Sequence, residues 1–167
     1  LEHAVHTRGV EGSNPPLAMH QTGFLSCFFY SKLFYKEDIM SEIIASKNAP
    51  AAIGPYSQAV VTGDFVFTSG QIALDPQTGE VVGEDIKAQT EQVISNLKAI
   101  LAQAGTDITK VVKTVCFLAD MGDFAAFNEV YGKHFTTKPA RSCVAVKTLP
   151  KNVLCEVEVI AEKGDIC

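Results

Sequence analysis

The chain has 167 residues, with 14 Lys and Arg against 19 Asp and Glu, a formal net charge of −5. That length suits one domain with a real core, small enough for a partner subunit to add to it. At 47% apolar and 20% charged residues it reads as globular, and the acidic balance excludes a broad basic surface of the kind that holds nucleic acid.

Residues 1–39 differ from the rest of the chain. They carry His3, His6 and His20, the cluster GSNPP, and the apolar run GFLSCFFYSKLF, which Ser26, Ser31 and Lys32 interrupt. The run falls short of the ~20 apolar residues a membrane span needs. Arg8 offers a basic start, but no small-residue cleavage site precedes KEDIM, so no signal peptide is expected. Met40 is the expected natural start. Residues 1–39 are then an extension, non-native or disordered, and residues 40–167 a single domain. The five cysteines, Cys27, Cys116, Cys143, Cys155 and Cys167, form no CxxC pair. An odd number without a secretion signal points to a reduced, cytoplasmic setting.

From Met40 the elements follow in order. Ile43–Ala45 is a short first strand, and Pro50, Gly54 and Pro55 hold an irregular loop. Gln58–Val61 and Phe65–Ser69 are apolar runs joined through TGD, which predicts a hairpin. Asp75, Pro76 and Gly79 mark a turn. Ile86, Val93, Leu97, Ile100, Leu101 and Ala104 recur at steps of three and four, which predicts a helix that Gly105 ends. Val111–Leu118 is a β-rich strand. Asp120 is placed to cap a second helix through Phe124, Phe127, Val130 and Tyr131. Arg141–Val146 and Val153–Ala161 are the last strands, joined by KTLPKN. The order predicts an α+β fold of two layers, one sheet with two helices packed on one face. Apolar side chains remain on the other face, so that face is expected to meet another subunit.

Strand alternation places Arg141, Cys143 and Ala145 on one face and Ser142, Val144 and Val146 on the other. If KTLPKN closes a hairpin, Arg141 lies opposite Glu156. The pair has two readings. One is a cross-strand ion pair that solvates the sheet. The other is an anion site, in which the guanidinium fork grips a carboxylate and the glutamate holds a water for attack on an electrophilic carbon. Tyr56 in GPYSQAV, Ser69 and Gly70 in FTSGQI, and Asn128 in FNEVY are polar groups that could join it. Each also has a plain structural role in loop packing, strand termination or a helix surface. No GxGxxG, GxxxxGK[ST] or GxSxG motif occurs. His134 is the one histidine after Met40, so a metal site lacks ligands. No cofactor is expected.

GPYSQAV, FTSGQI, PARSCVAV and LPKNVLCEVEVIA together resemble the RidA/YjgF/UK114 family over Met40–Asp165, most closely its bacterial enamine/imine deaminases. The resemblance implies a chorismate-mutase-like fold and a homotrimer whose sheets line a central barrel, with clefts between adjacent subunits. It implies Arg141 and Glu156 as the catalytic pair, Arg141 as carboxylate anchor and Glu156 as water-orienting group. Tyr56, Ser69, Gly70, Asn128 and Cys143 would complete substrate binding. The implied reaction hydrolyses reactive 2-imino acids, such as 2-iminopropanoate and 2-iminobutanoate, to 2-keto acids and ammonia. These acids arise from serine or threonine dehydration, the latter in isoleucine biosynthesis. No metal, nucleic acid or membrane partner is implied for that activity. Alternatives left open are a carboxylate-binding trimer without turnover, a ribonuclease or translation inhibitor, and a chaperone-like apolar surface.

Overall fold

Two signals in the chain set the central hairpin and the first helix. In a computed structural model that describes residues 41–164, strands β2 (Ala59–Thr62) and β3 (Phe65–Thr68) pair antiparallel across Gly63 and Asp64. Gly63 takes a φ of 56°, open to a glycine at little cost. Helix α1 (Ile86–Gln103) starts where the Asp85 carboxylate accepts the backbone N–H groups of Lys87 and Ala88. It ends before Gly105, at φ 76°. The expectation for residues 1–39 lies outside the described residues.

The sheet has the order β1-β2-β3-β7-β5-β6, with β4 also on β7. Its remaining strands are β1 (Glu42–Ile44), β4 (Gln71–Ile72), β5 (Val111–Leu118), β6 (Ala140–Ala145) and β7 (Cys155–Glu162). Helix α2 (Phe124–His134) joins β5 to β6. The two-layer expectation holds: α1 and α2 pack on one face of a mixed sheet. Val61, Val66, Cys116, Leu118, Val157, Val159 and Ala161 are buried beneath them together with Val93, Leu97, Ile100 and Phe127 of the helices. Each such Val, Leu, Ile or Phe side chain contributes about 1.5–3 kcal/mol on burial, which outweighs the propensity cost of the β-branched residues in α1, at most about 0.7 kcal/mol each.

One expectation fails and it concerns the site. β6 and β7 do not form a hairpin. β6 runs parallel to β5, and β7 lies antiparallel on the other side of β5. A parallel neighbour needs a crossover, and α2 supplies it. KTLPKN therefore spans β5 rather than closing a tight turn. It contains a 3-10 turn, Pro150–Asn152, with Lys151 and Asn152 at positive φ. Arg141 pairs with Thr114, whereas Glu156 pairs with Phe117. Paired residues share a face. Thr114 is buried on the helix side, and Phe117 points the opposite way. Arg141 and Glu156 thus stand two strands apart on opposite faces, and the cross-strand ion pair does not exist within the chain.

Two smaller differences have local causes. Asp120 caps a 3-10 turn, Met121–Asp123, by accepting Gly122 N–H at 2.6 Å, and α2 begins one turn later. FTSGQI ends β3 at Thr68, as expected, and pairing with β7 then resumes as β4 at Gln71. Phe67 pairs with Ile160 and Gln71 with Val157, so one extra residue is inserted opposite β7, a bulge. The Thr68 hydroxyl fills the broken ladder, accepting Val159 N–H at 3.0 Å.

The face away from the helices carries Phe65, Phe67 and Val144, 41%, 42% and 48% exposed. Half-buried Val115, Phe117 and Ile160 lie among them. That is the apolar face read from the sequence, and no element of the described chain covers it.

Candidate functional site

The expected site residues fall into two groups. In the first, the bulge at Thr68–Gly70 brings the Gly70 backbone against the Glu156 side chain. A Cβ built on Gly70 would lie 1.8 Å from Glu156 Oε1, so only a glycine leaves room for the carboxylate. Ser69 Oγ donates to the Ser57 carbonyl at 2.6 Å, and Ser69 N–H donates to the Gln58 carbonyl at 2.9 Å. These bonds hold the Tyr56 loop beside the bulge. Tyr56 N–H donates to the Gly54 carbonyl at 2.8 Å, and the ring is half exposed. Tyr56, Ser69, Gly70, Ile72 and Glu156 line a common cavity of about 340 Å³.

Buried amides brace this group, and the apolar periodicity did not single them out. Gln58 Oε1 accepts Ser46 N–H at 2.5 Å, and Gln58 Nε2 reaches the Pro50 carbonyl at 2.7 Å. Asn96 of α1 donates to the Leu74 carbonyl at 2.9 Å and the Ile72 carbonyl at 3.2 Å, tying the helix to β4. Gln89 accepts Leu154 N–H at 2.7 Å, two residues before Glu156. For Gln89 and Asn96, an amide inside an apolar helix stripe is the one signal that could have found them, since a buried amide needs partners; Gln58, ahead of β2, carries no such signal. Gln58→Ala strands several backbone groups and is expected to cost about 1–3 kcal/mol of stability, seen as a lower urea midpoint at constant m. An unchanged midpoint would mean that water replaces the amide.

Glu156 is half-buried. Burial, then the charge of Glu158 two residues on, raise its pKa above the ordinary glutamate value. A carboxylate with a raised pKa is a better proton acceptor once ionised.

The second group lies under α2. Arg141 Nη1 donates to Asn128 Oδ1 at 2.7 Å. The guanidinium carbon sits 4.7 Å from the Tyr131 ring centroid and 5.5 Å from that of Phe124. Asn128, Tyr131, Lys138, Pro139 and Arg141 line a recess of about 380 Å³. Cys143 is two residues along on the same face, opposite Cys116. Burial raises its thiol pKa against the opposing pull of Arg141, so it stays protonated near neutrality and is not poised as a nucleophile. Cys116 and Cys155 are pushed further, to about 12 and about 11, chiefly by burial. All three are free thiols. Among the described residues no cluster of His, Cys, Asp and Glu could hold a metal ion.

The expected site residues therefore stand in two separate places on the chain. Tyr56, Ser69, Gly70 and Glu156 share a largely apolar cavity that holds a carboxylate but no cation. Asn128 anchors the Arg141 guanidinium, with Cys143 two residues along the same strand face, and no carboxylate base stands with them.

Residues 46–163 match the family model described as endoribonuclease L-PSP. A RutC family protein of Pyrococcus horikoshii is 54% identical over 125 residues, 74% of this chain and 99% of that protein. The 2-iminobutanoate/2-iminopropanoate deaminase of Salmonella typhimurium is 52% identical over 126 residues, covering 73% and 98%. The crystal structure of Escherichia coli TdcF with bound serine superposes with a TM-score of 0.70 at 45% identity, over 74% of this chain and 99% of that one. The chain belongs to the endoribonuclease L-PSP family, the RidA/YjgF/RutC group that its motifs resemble.

Proposed function

We propose that the protein is a cofactor-independent deaminase of 2-imino acids, working as a homotrimer with its site in the cleft between subunits. The observation that carries this reading is the division of the site: an anchored arginine and a half-buried glutamate on opposite faces of one sheet, each lacking what the other supplies. A neighbouring copy laid over the uncovered face would bring one chain's Glu156 cavity to the next chain's Arg141 recess. Phe65, Phe67 and Val144 would then be covered. The Salmonella relative's deaminase name and the serine bound to TdcF fit a small amino-acid-like ligand.

In the assembled cleft Arg141 grips the substrate carboxylate with two parallel bonds, while Asn128 holds the guanidinium. Tyr56, Ser69 and the Gly70 backbone bound the pocket, and Cys143 shapes it. Water held by Glu156 adds to the iminium carbon and gives its proton to the carboxylate. The resulting carbinolamine passes its hydroxyl proton to nitrogen and collapses, breaking the C–N bond. Products are a 2-keto acid and ammonia. The iminium is already electrophilic, so position and charge supply most of the acceleration. On this reading the substrates are small 2-imino acids such as 2-iminopropanoate and 2-iminobutanoate, in line with the Salmonella relative's name. The free thiols fit work in a reducing cytoplasm.

The test generates 2-iminopropanoate with an amino-acid oxidase and follows capture of free imine by semicarbazide. Wild-type protein is expected to outcompete the trap. No acceleration at any protein concentration would favour the second reading, a trimer that binds small carboxylates without turnover, for which the serine in TdcF is the supporting observation. Activity is also expected to fall as acid protonates Glu156, with the limb of kcat/KM above the ordinary glutamate value because burial and Glu158 raise its pKa. Glu158→Gln removes one of those causes, so the limb is expected to move to lower pH. A limb that stays in place would mean that another group titrates.

A further inference from the structure

Helix α2 presents Phe124, Asn128 and Tyr131 at i, i+4 and i+7, one stripe on one face. All three meet the Arg141 guanidinium, Asn128 through a hydrogen bond and the two aromatic rings within cation–π range. Tyr131 has a second contact on the sheet. Its hydroxyl lies 2.8 Å from Thr114 Oγ1, and Thr114 is the β5 residue paired with Arg141. The contacts close a ring: Arg141 to Tyr131, Tyr131 to Thr114, and Thr114 back to Arg141 across the ladder. Thr114 is fully buried and Tyr131 nearly so, with its ring stacked on Phe135 at a centroid distance of 4.3 Å. The tyrosine is therefore held from two sides before any ligand arrives.

From this geometry we infer that Tyr131 is a positioning residue for the carboxylate anchor, with the Thr114–Tyr131 hydrogen bond setting the plane in which Arg141 offers its free N–H groups. Asn128 restrains one end of the guanidinium and the rings restrain its faces. Flat, fork-shaped recognition of a carboxylate depends on that plane, whereas a point charge would not. The inference rests on the proposed carboxylate role of Arg141. The stripe also bears on selectivity: a pre-oriented fork favours carboxylates over anions that need only a positive charge.

Tyr131→Phe keeps the ring and removes the tether, and it is nearly isosteric. Three measurements on the intact protein test it: pyruvate binding by calorimetry, imine KM and kcat, and 15N relaxation of the Arg141 Nε in unliganded protein. Pyruvate Kd and imine KM are expected to rise about three- to tenfold with kcat within about twofold, and Arg141 Nε is expected to become more mobile. Phe124→Leu, which removes the second ring, should move the same three readouts in the same direction. A purely structural Tyr131 would lower the melting temperature and the active fraction but leave KM, Kd and Nε relaxation unchanged, and that result overturns the inference. Pyruvate binding that Arg141→Ala leaves intact would instead overturn the carboxylate-anchor role. The relaxation data would still report whether Tyr131 orders the guanidinium.

Discussion

Arg141→Ala is expected to lower kcat/KM for 2-iminopropanoate by about 10²- to 10⁴-fold. Two charge-assisted hydrogen bonds of about 1.5–3 kcal/mol each are lost, and about 1.4 kcal/mol corresponds to a factor of ten. The fold is expected to survive. Arg141 is half-buried at the β6 edge, its one side-chain hydrogen bond goes to Asn128, and water can enter the recess it leaves. Thermal unfolding and the elution volume on size-exclusion chromatography should therefore match wild type. Arg141→Lys keeps the charge and loses the fork, so it should fall between the two. Wild-type turnover from a folded Arg141→Ala protein would remove Arg141 from the mechanism.

Gly70→Ala is expected to lower kcat by about ten- to a hundredfold, as displacement of a positioned group by about 1 Å does. The cause is collision rather than backbone strain, since Gly70 is not among the positive-φ glycines. The added Cβ would lie 1.8 Å from Glu156 Oε1 and 2.8 Å from its Cδ. The carboxylate is the free end of a flexible side chain, so it swings away and the strand stays in place. Melting temperature should change little. Since the methyl acts through Glu156, Gly70→Ala added to Glu156→Ala should cause no further loss. Glu156→Ala itself is bounded, because bulk water still reaches an activated iminium. Full activity in Gly70→Ala would show that the observed carboxylate position is not the one used in turnover.

Most of the architecture was legible along the chain because its signals are local. The stripe from Ile86 to Ala104, the stop at Gly105, the TGD turn and the β-rich run Val111–Leu118 each act within a few residues. They placed both helices, the main strands and the apolar face left open. The motifs around Tyr56, Ser69, Arg141 and Glu156 likewise named the polar groups that line the two recesses. Buried Gln58, Gln89 and Asn96 went unread, since an amide's partners on distant backbone leave no periodic trace.

Strand pairing was where local reasoning failed. KTLPKN has turn residues, and Arg141 and Glu156 sit symmetrically about it, so a hairpin satisfied every nearby signal. A parallel pair is decided by a helix crossing over the sheet, and β5 took the place between β6 and β7 because its apolar face completes the core beneath both helices. Alternation along each strand correctly assigned residues to faces, but which faces coincide depends on register and on strand order, and both are tertiary. The chain's residue types thus specified an arginine, a glutamate and the loops around them. Folding then separated the two charges across the sheet, because each strand buries its apolar side toward the helices wherever its neighbours allow.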